Sequence, residues 1–265
     1  MAITAFKKEL WSNAIEETYK GITVAGLICK EPVQGGKGYH WTSTGAVTVN
    51  DYTGTITYAE AEAIDIPCNY DKNKYFAIQL DDVDKCQLAG DLLMEQTTKA
   101  SYALKKEEDV AVLSDMAKNA GTSIGSASAK KEITTPEQAY DFVVDLGTAL
   151  DKKDAPELGR FVIANADFVN LMAKDKRCVD NAPVLQNGIV QGMVINNMQV
   201  IKTNNVPAGT VIACVKDAQG FGRNLSEVEA LRLEGKFSDA VRGLDQYGFA
   251  TINRDGIAKL LYTIA

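Results

Sequence analysis

The chain has 265 residues, 46% hydrophobic and 24% charged, with 35 acidic against 28 Lys and Arg side chains and a formal charge of −7. This is the balance of a folded globular chain; it excludes bulk disorder, a collagen-like or coiled-coil rod, and a protein built mainly to grip phosphates, which carries a basic excess or a dense basic stripe. No apolar run approaches the roughly 18 residues of a bilayer crossing, and residues 1–6 followed by Lys7-Lys8-Glu9 lack the apolar stretch of a secretory signal.

At roughly 100–200 residues per domain the length allows one large or two small domains. Residues 4–20 read as an amphipathic helix, with Phe6, Leu10, Ala14 and Ile15 on one face. Gly21 permits a turn, 22–29 reads as extended, and 34–38 is a glycine-rich hinge. From 39 to 80 the residues are β-branched, aromatic and polar. Val47-Thr48-Val49, then Asn50 to Gly54, then Thr55-Ile56-Thr57-Tyr58 has the pattern strand, turn, strand. Residues 61–68 and 74–80 form a second extended pair around 69–73. So few large aliphatic side chains cannot build a core, and this hairpin must lean on something else, such as another subunit.

The clearest helix follows. Asp81 or Asp82 caps its start, and Val83, Cys86, Ala89, Leu93, Ala100, Ala103, Leu104, Val110, Ala111 and Ala117 recur at three- and four-residue spacing. Asn119-Ala120-Gly121 stops it. Residues 82–118 make a rod of roughly 55 Å at ~1.5 Å rise per residue. Within it, Lys105-Lys106 beside Glu107-Glu108-Asp109 reads as a solvated face. Residues 121–132 read as a linker.

Thr135-Pro136-Glu137-Gln138 is a capping-box helix start, with Tyr140, Val143, Val144, Gly147 and Leu150 on the buried face. Residues 160–164 read as a core strand, and Asn165 caps a helix carrying Phe168, Leu171 and Met172. Further strands are expected at 194–195, 200–202 and 211–215, then at 228–233, 240–244, 247–252 and 257–264.

Chemistry-bearing motifs are few. Cys29, Cys68, Cys86, Cys178 and Cys214 are spread out without a CxxC, and read as free, mostly buried thiols. His40 is the single histidine, which excludes a multi-histidine zinc site and reads as a surface residue. Gly35-Gly36-Lys37-Gly38 lacks phosphate-loop spacing, and Gly220-Phe221-Gly222-Arg223 fails the dinucleotide pattern because Leu225 stands where glycine is needed. Asp81, Asp82 and Asp84 lack calcium-loop spacing. The sequence nominates no catalytic residue, metal site or cofactor.

The order of segments resembles the tailed-bacteriophage major capsid protein family with the Hong Kong 97-type fold. Gly45 to Tyr52 with Ile56-Thr57-Tyr58 is similar to that family's E-loop, and Lys74 to Gln87 to the lead-in of its spine helix. Arg160-Phe161-Val162-Ile163 with Phe168-Val169-Asn170-Leu171 resembles its A-domain. Asn204-Asn205-Val206-Pro207, Asp239 to Leu244 and Tyr247-Gly248 resemble its later signatures.

The resemblance implies an α+β fold with an N-arm (1–34), an extended E-loop hairpin (35–80), a P-domain with the spine helix (81–132 and 228–247) and a compact A-domain (133–227 and 248–265). It also implies a subunit that self-assembles as pentamers and hexamers into an icosahedral head shell around phage double-stranded DNA. The implied partners are other copies of the chain, a scaffolding protein, a portal, possible decoration proteins and packaged DNA bound without sequence specificity. The implied location is the virion, and the bacterial cytoplasm during assembly. Val47, Val49, Asp51, Tyr52, Ile56, Tyr58, Ile64 and Ile66 are the expected inter-subunit contacts of the E-loop, and Asp81 and Asp82 the expected spine-helix cap. An encapsulin-type nanocompartment shell is the alternative, and a soluble cytosolic enzyme a more distant one.

Overall fold

The computed structural model describes residues 24–31, 38–44, 51, 63–81, 92–179, 184–186, 189–233, 235 and 237–264. The expected helix over 4–20, the glycine-rich stretch 34–37 and the expected strands at 47–49 and 55–58 lie outside these residues.

The centre is a mixed sheet in which β6 (Arg160–Ala164) and β10 (Thr210–Val215) are buried on both faces. Its order is β4 (Thr122–Ile124), β13 (Ile257–Ile264), β10, β6, β9 (Met198–Lys202), β8 (Ile189–Ile195), β7 (Val184–Gln186). Strand period two sends alternate side chains to two cores. Val162, Val200, Val211, Ala213 and Leu260 pack under α3 (Pro136–Asp151) and α4 (Ala166–Met172). Ile163, Ile201, Ile212 and Cys214 face the other way, onto Val112, Leu113 and Met116 of the long helix α2 (Leu92–Asn119) and onto Ala25 and Ile28 of α1 (Val24–Ile28). Among the described residues the long helix thus begins at Leu92; 82–91 lie outside them.

Two of the three sequence-expected caps are present, and the start of the long helix lies outside the described residues. The Thr135 hydroxyl accepts the Gln138 N–H while the Gln138 side chain accepts the Thr135 N–H, and the Asn165 side chain accepts the Phe168 N–H at 3.0 Å.

A second sheet extends from the first. The strands expected as separate pieces at 228–233, 240–244 and 247–252 belong to two continuous strands, β11 (Gln219–Arg232) and β12 (Ser238–Thr251). These pair antiparallel with a bulge at Leu225/Glu227, and β12 also pairs with β3 (Lys72–Asp81). The boundaries expected at 227/228 and 247/248 therefore fall inside strands.

Four expectations need correction. Residues 24–28 are helical, not extended: Asp109 satisfies the first N–H groups of α1, and Ala25 and Ile28 are buried, which overrides the β-branched Ile22, Thr23 and Val24. The strands near 61–68 and 74–80 exist, but they do not pair with each other. β2 (Ala63–Asn69) pairs with β1 (Gly38–Thr44), whereas β3 leaves a tight turn, with the Asp71 N–H donating to Asn69 O at 2.9 Å, and joins β12. The expected linker 121–132 contains β4 and β5 (Lys131–Ile133), both parallel to β13; their polar composition hides edge strands stabilised by backbone pairing. Finally, the charge run on α2 is only half solvated: Lys106 and Glu107 are exposed, but Lys105, Glu108 and Asp109 are buried.

Candidate functional site

The hairpin base formed by β1 and β2 has two chemically different faces, because paired residues share a side. On one face His40 and Asp65 are both exposed, with the imidazole Nδ1 2.9 Å from a carboxylate oxygen; the lone histidine is a surface residue hydrogen-bonded to a surface carboxylate. The other face carries Tyr39, Trp41, Ile64, Ile66 and Cys68, in the register Tyr39↔Cys68, Trp41↔Ile66 and Ser43↔Ile64. Burial falls along it. Cys68 and Trp41 are buried, Ile66 is half-buried, and Ile64 is 53% exposed. The apolar face starts as core and runs out into solvent.

Ile64 and Ile66 lie on one face of β2. Asp51 is exposed. Val47, Val49, Tyr52, Ile56 and Tyr58 lie outside the described residues, as does Asp82. Asp81 is the last residue of β3, paired with Ser238.

The three-stranded sheet offers a second surface. Its inner face packs on α2 through charged groups. Arg223 Nη1 lies 4.0 Å from Glu108 Oε2, with buried Lys105 nearby. Burial together with Arg223 lowers Lys105 to about 8, and burial beside Glu108 and Asp245 pushes the Tyr247 hydroxyl up to about 12.

The outer face is unlike this. Its root, Gly220 and Gly248, is covered by the subunit's own hairpin: Trp41 lies over Gly220, and the backbone of Asn69 and Tyr70 crosses Gly248. Its distal half is open. Tyr75 is 78% exposed beside its strand partner Leu244 at 37%, and next to them Arg242 donates two hydrogen bonds to Glu229, at 2.9 and 2.6 Å. The sequence reading missed Trp41, Tyr75 and Leu244. Trp41 stands between polar His40 and Thr42, but Tyr75 runs into Phe76-Ala77-Ile78, and nothing local shows which strand lies beside them.

Among the described residues no three His, Cys, Asp or Glu side chains are grouped to hold a metal. No described helix is long and apolar enough to cross a membrane.

Several solved structures share this architecture. One from Mycobacterium phage Che8 superposes with a TM-score of 0.71 at 22% identity, covering 85% of each chain. The capsid structure of cyanophage P-SCSP1u gives 0.73 at 14% identity, covering 92% of this chain and 89% of that one. A virus-like particle from Pyrococcus furiosus gives 0.58 at 13%, covering 98% and 100%. At these identities the likeness establishes the fold, the α+β Hong Kong 97-type capsid fold. No curated protein matches the sequence. The sequence profile described as phage capsid protein matches residues 70–260, from the turn before β3 to the middle of β13, and the chain belongs to that family.

Proposed function

We propose that the chain is the major capsid subunit of a tailed phage, assembling as pentamers and hexamers into an icosahedral head shell around double-stranded DNA. The observation that carries this reading is a pair of open apolar surfaces on one member of a capsid family. The inner face of the hairpin emerges into solvent at Ile64, and the distal sheet face presents Tyr75 and Leu244. Laid on each other between copies, the two faces would leave water together. A contact between two different patches is head-to-tail, and it closes into a ring when the rotation allows. Val47, Val49, Tyr52, Ile56 and Tyr58 would extend the same hairpin contact, with Asp51 at its rim.

In this reading residues 1–34 are the N-arm, 35–80 the E-loop, 81–132 and 228–247 the P-domain, and 133–227 and 248–265 the A-domain. Asp81 and Asp82 would cap the spine helix. The net charge of −7 fits a shell that encloses DNA neutralised mainly by counterions. Scaffolding, portal and decoration proteins are the expected further partners. The particle forms in the bacterial cytoplasm and persists as the virion. An encapsulin-type shell would share the fold but enclose a cargo enzyme; the phage capsid profile favours the phage reading.

Negative-stain microscopy of the purified protein tests this reading. Shells, tubes or capsomers are expected, and a monodisperse monomer at high concentration would overturn it. Replacing residues 47–58 with a Gly/Ser linker should abolish closed shells while circular dichroism and cooperative melting persist. Shells that close without those residues would refute the E-loop contact.

A further inference from the structure

The glycine pair that failed as a nucleotide motif has an occupant. Gly220 sits in β11, held on one side by its partner Ala250 in β12. On the other side is the segment after α1, where the Lys30 N–H donates to Gln219 O at 2.8 Å and the Phe221 N–H donates to Lys30 O at 3.0 Å. The backbone here is fixed from both edges. Over it lies the six-membered ring of Trp41. A Cβ at position 220 would overlap Cη2 and Cζ3 of that ring and stand 2.7 Å from Cζ2, so only glycine admits the indole. Tyr39 braces the ring edge-on at 5.3 Å between centroids. On the adjoining strand β12, a Cβ at Gly248 would meet the backbone of Asn69, so the end of β2 is seated on a second glycine.

These contacts run from the Gly38–Asn69 end of the β1–β2 pair to its middle, at Trp41↔Ile66. Toward Thr44 and Ala63 the apolar face is progressively exposed. The pair is thus fastened from its Asn69 end to its middle, and the placement of Thr44 and Ala63 at its open end depends on how the indole sits.

We infer that the Trp41–Gly220 seat fixes the angle at which the hairpin leaves the subunit and, through it, the curvature at which neighbouring subunits join. This rests on the shell reading above. Trp41 is a positioning residue: it need not touch a neighbour to set where the contacting residues meet one. A small rotation at the seat displaces Thr44 and Ala63, at the end of the β1–β2 pair away from Asn69, by a larger distance than it moves Trp41 itself.

The chain has two tryptophans, Trp11 and Trp41, so a Trp11→Phe background makes Trp41 the sole indole reporter. In that background Gly220→Ala should shift the emission to the red as the indole is displaced. It should keep a cooperative melt and yield particles of mixed diameter or open sheets. Adding Trp41→Leu to Gly220→Ala should restore a narrower diameter distribution, since the smaller side chain leaves room for the new Cβ. Red-shifted emission with uniform particles of the parent diameter would overturn the inference. If Gly220→Ala does not fold, Trp41→Leu alone decides: altered or mixed diameters support the seat, and uniform parent-sized shells refute it. Absence of particles from the Trp11→Phe parent and from the unmutated protein would overturn the shell reading itself, and this inference with it.

Discussion

The carboxylate of Asp109, in the middle of the long helix α2, accepts the backbone N–H of Ala25 at 3.0 Å and lies 3.4 Å from that of Val24. A side chain on one helix thus caps another that precedes it by more than eighty residues, and Asn205 donates to the same carboxylate at 3.4 Å. Burial raises Asp109 above the ordinary carboxylate range, while these donors pull it back down. This carboxylate ties α1 and the loop after β9 to the long helix.

Asp109→Ala should therefore leave buried N–H groups of α1 without their acceptor, at a cost of about 1–3 kcal/mol. Asp109→Asn keeps an acceptor oxygen and should cost less. Chemical denaturation of both variants checks the order; equal stabilities for Ala and Asn would refute the capping role.

Lys105 supplies a pH signature. Burial and Arg223 lower its folded-state value to about 8 from the ordinary 10.5. Between those pH values the unfolded chain retains a proton that the folded chain has released, so this group makes stability rise with pH across the window. Lys105→Met removes that slope. The Tm of the native protein minus that of the variant should become more positive from about pH 8 toward pH 10. A difference that stays flat with pH would show that Lys105 does not titrate there.

Ala103 is exposed in the interior of α2, so its replacement tests the backbone and not the core. Ala103→Pro removes an amide donor and clashes with the preceding turn, costing about 3 kcal/mol or more. Insoluble protein or aberrant particles are expected. Ala103→Gly, costing about 1 kcal/mol, should remain soluble. Particles of normal form from the proline variant would mean that assembly does not require an unbroken helix.

The thiols should be slow to react. Cys29, Cys68, Cys178 and Cys214 are buried, and burial pushes Cys68 up to about 11 and Cys214 up to about 12, so little reactive thiolate exists at neutral pH. In a Cys86→Ser variant, labelling of the native protein by a thiol reagent should be slow and should become fast on denaturation. Non-reducing gels should show monomer. Rapid native labelling, or a ladder that reductant removes, would contradict the burial.

The sequence by itself determined the elements whose signals are local. The capping box at Thr135 and Gln138, the Asn165 cap, the core strand 160–164 and the closing strand 257–264 were all legible, because backbone capping and apolar runs depend only on near neighbours. The ordered segments also pointed to the capsid family. Tertiary structure alone decided which strands pair. Nothing in residues 61–80 says that β2 turns back to β1 while β3 crosses to β12, since register is set by distant partners. It also decided which charges are buried. Lys105 and Lys106 are neighbours of one type, yet the helical turn sends one into the sheet beside Arg223 and the other into water. The same holds for Trp41 and Gly220, 179 positions apart: neither is informative alone, and the seat exists only because the fold lays one over the other.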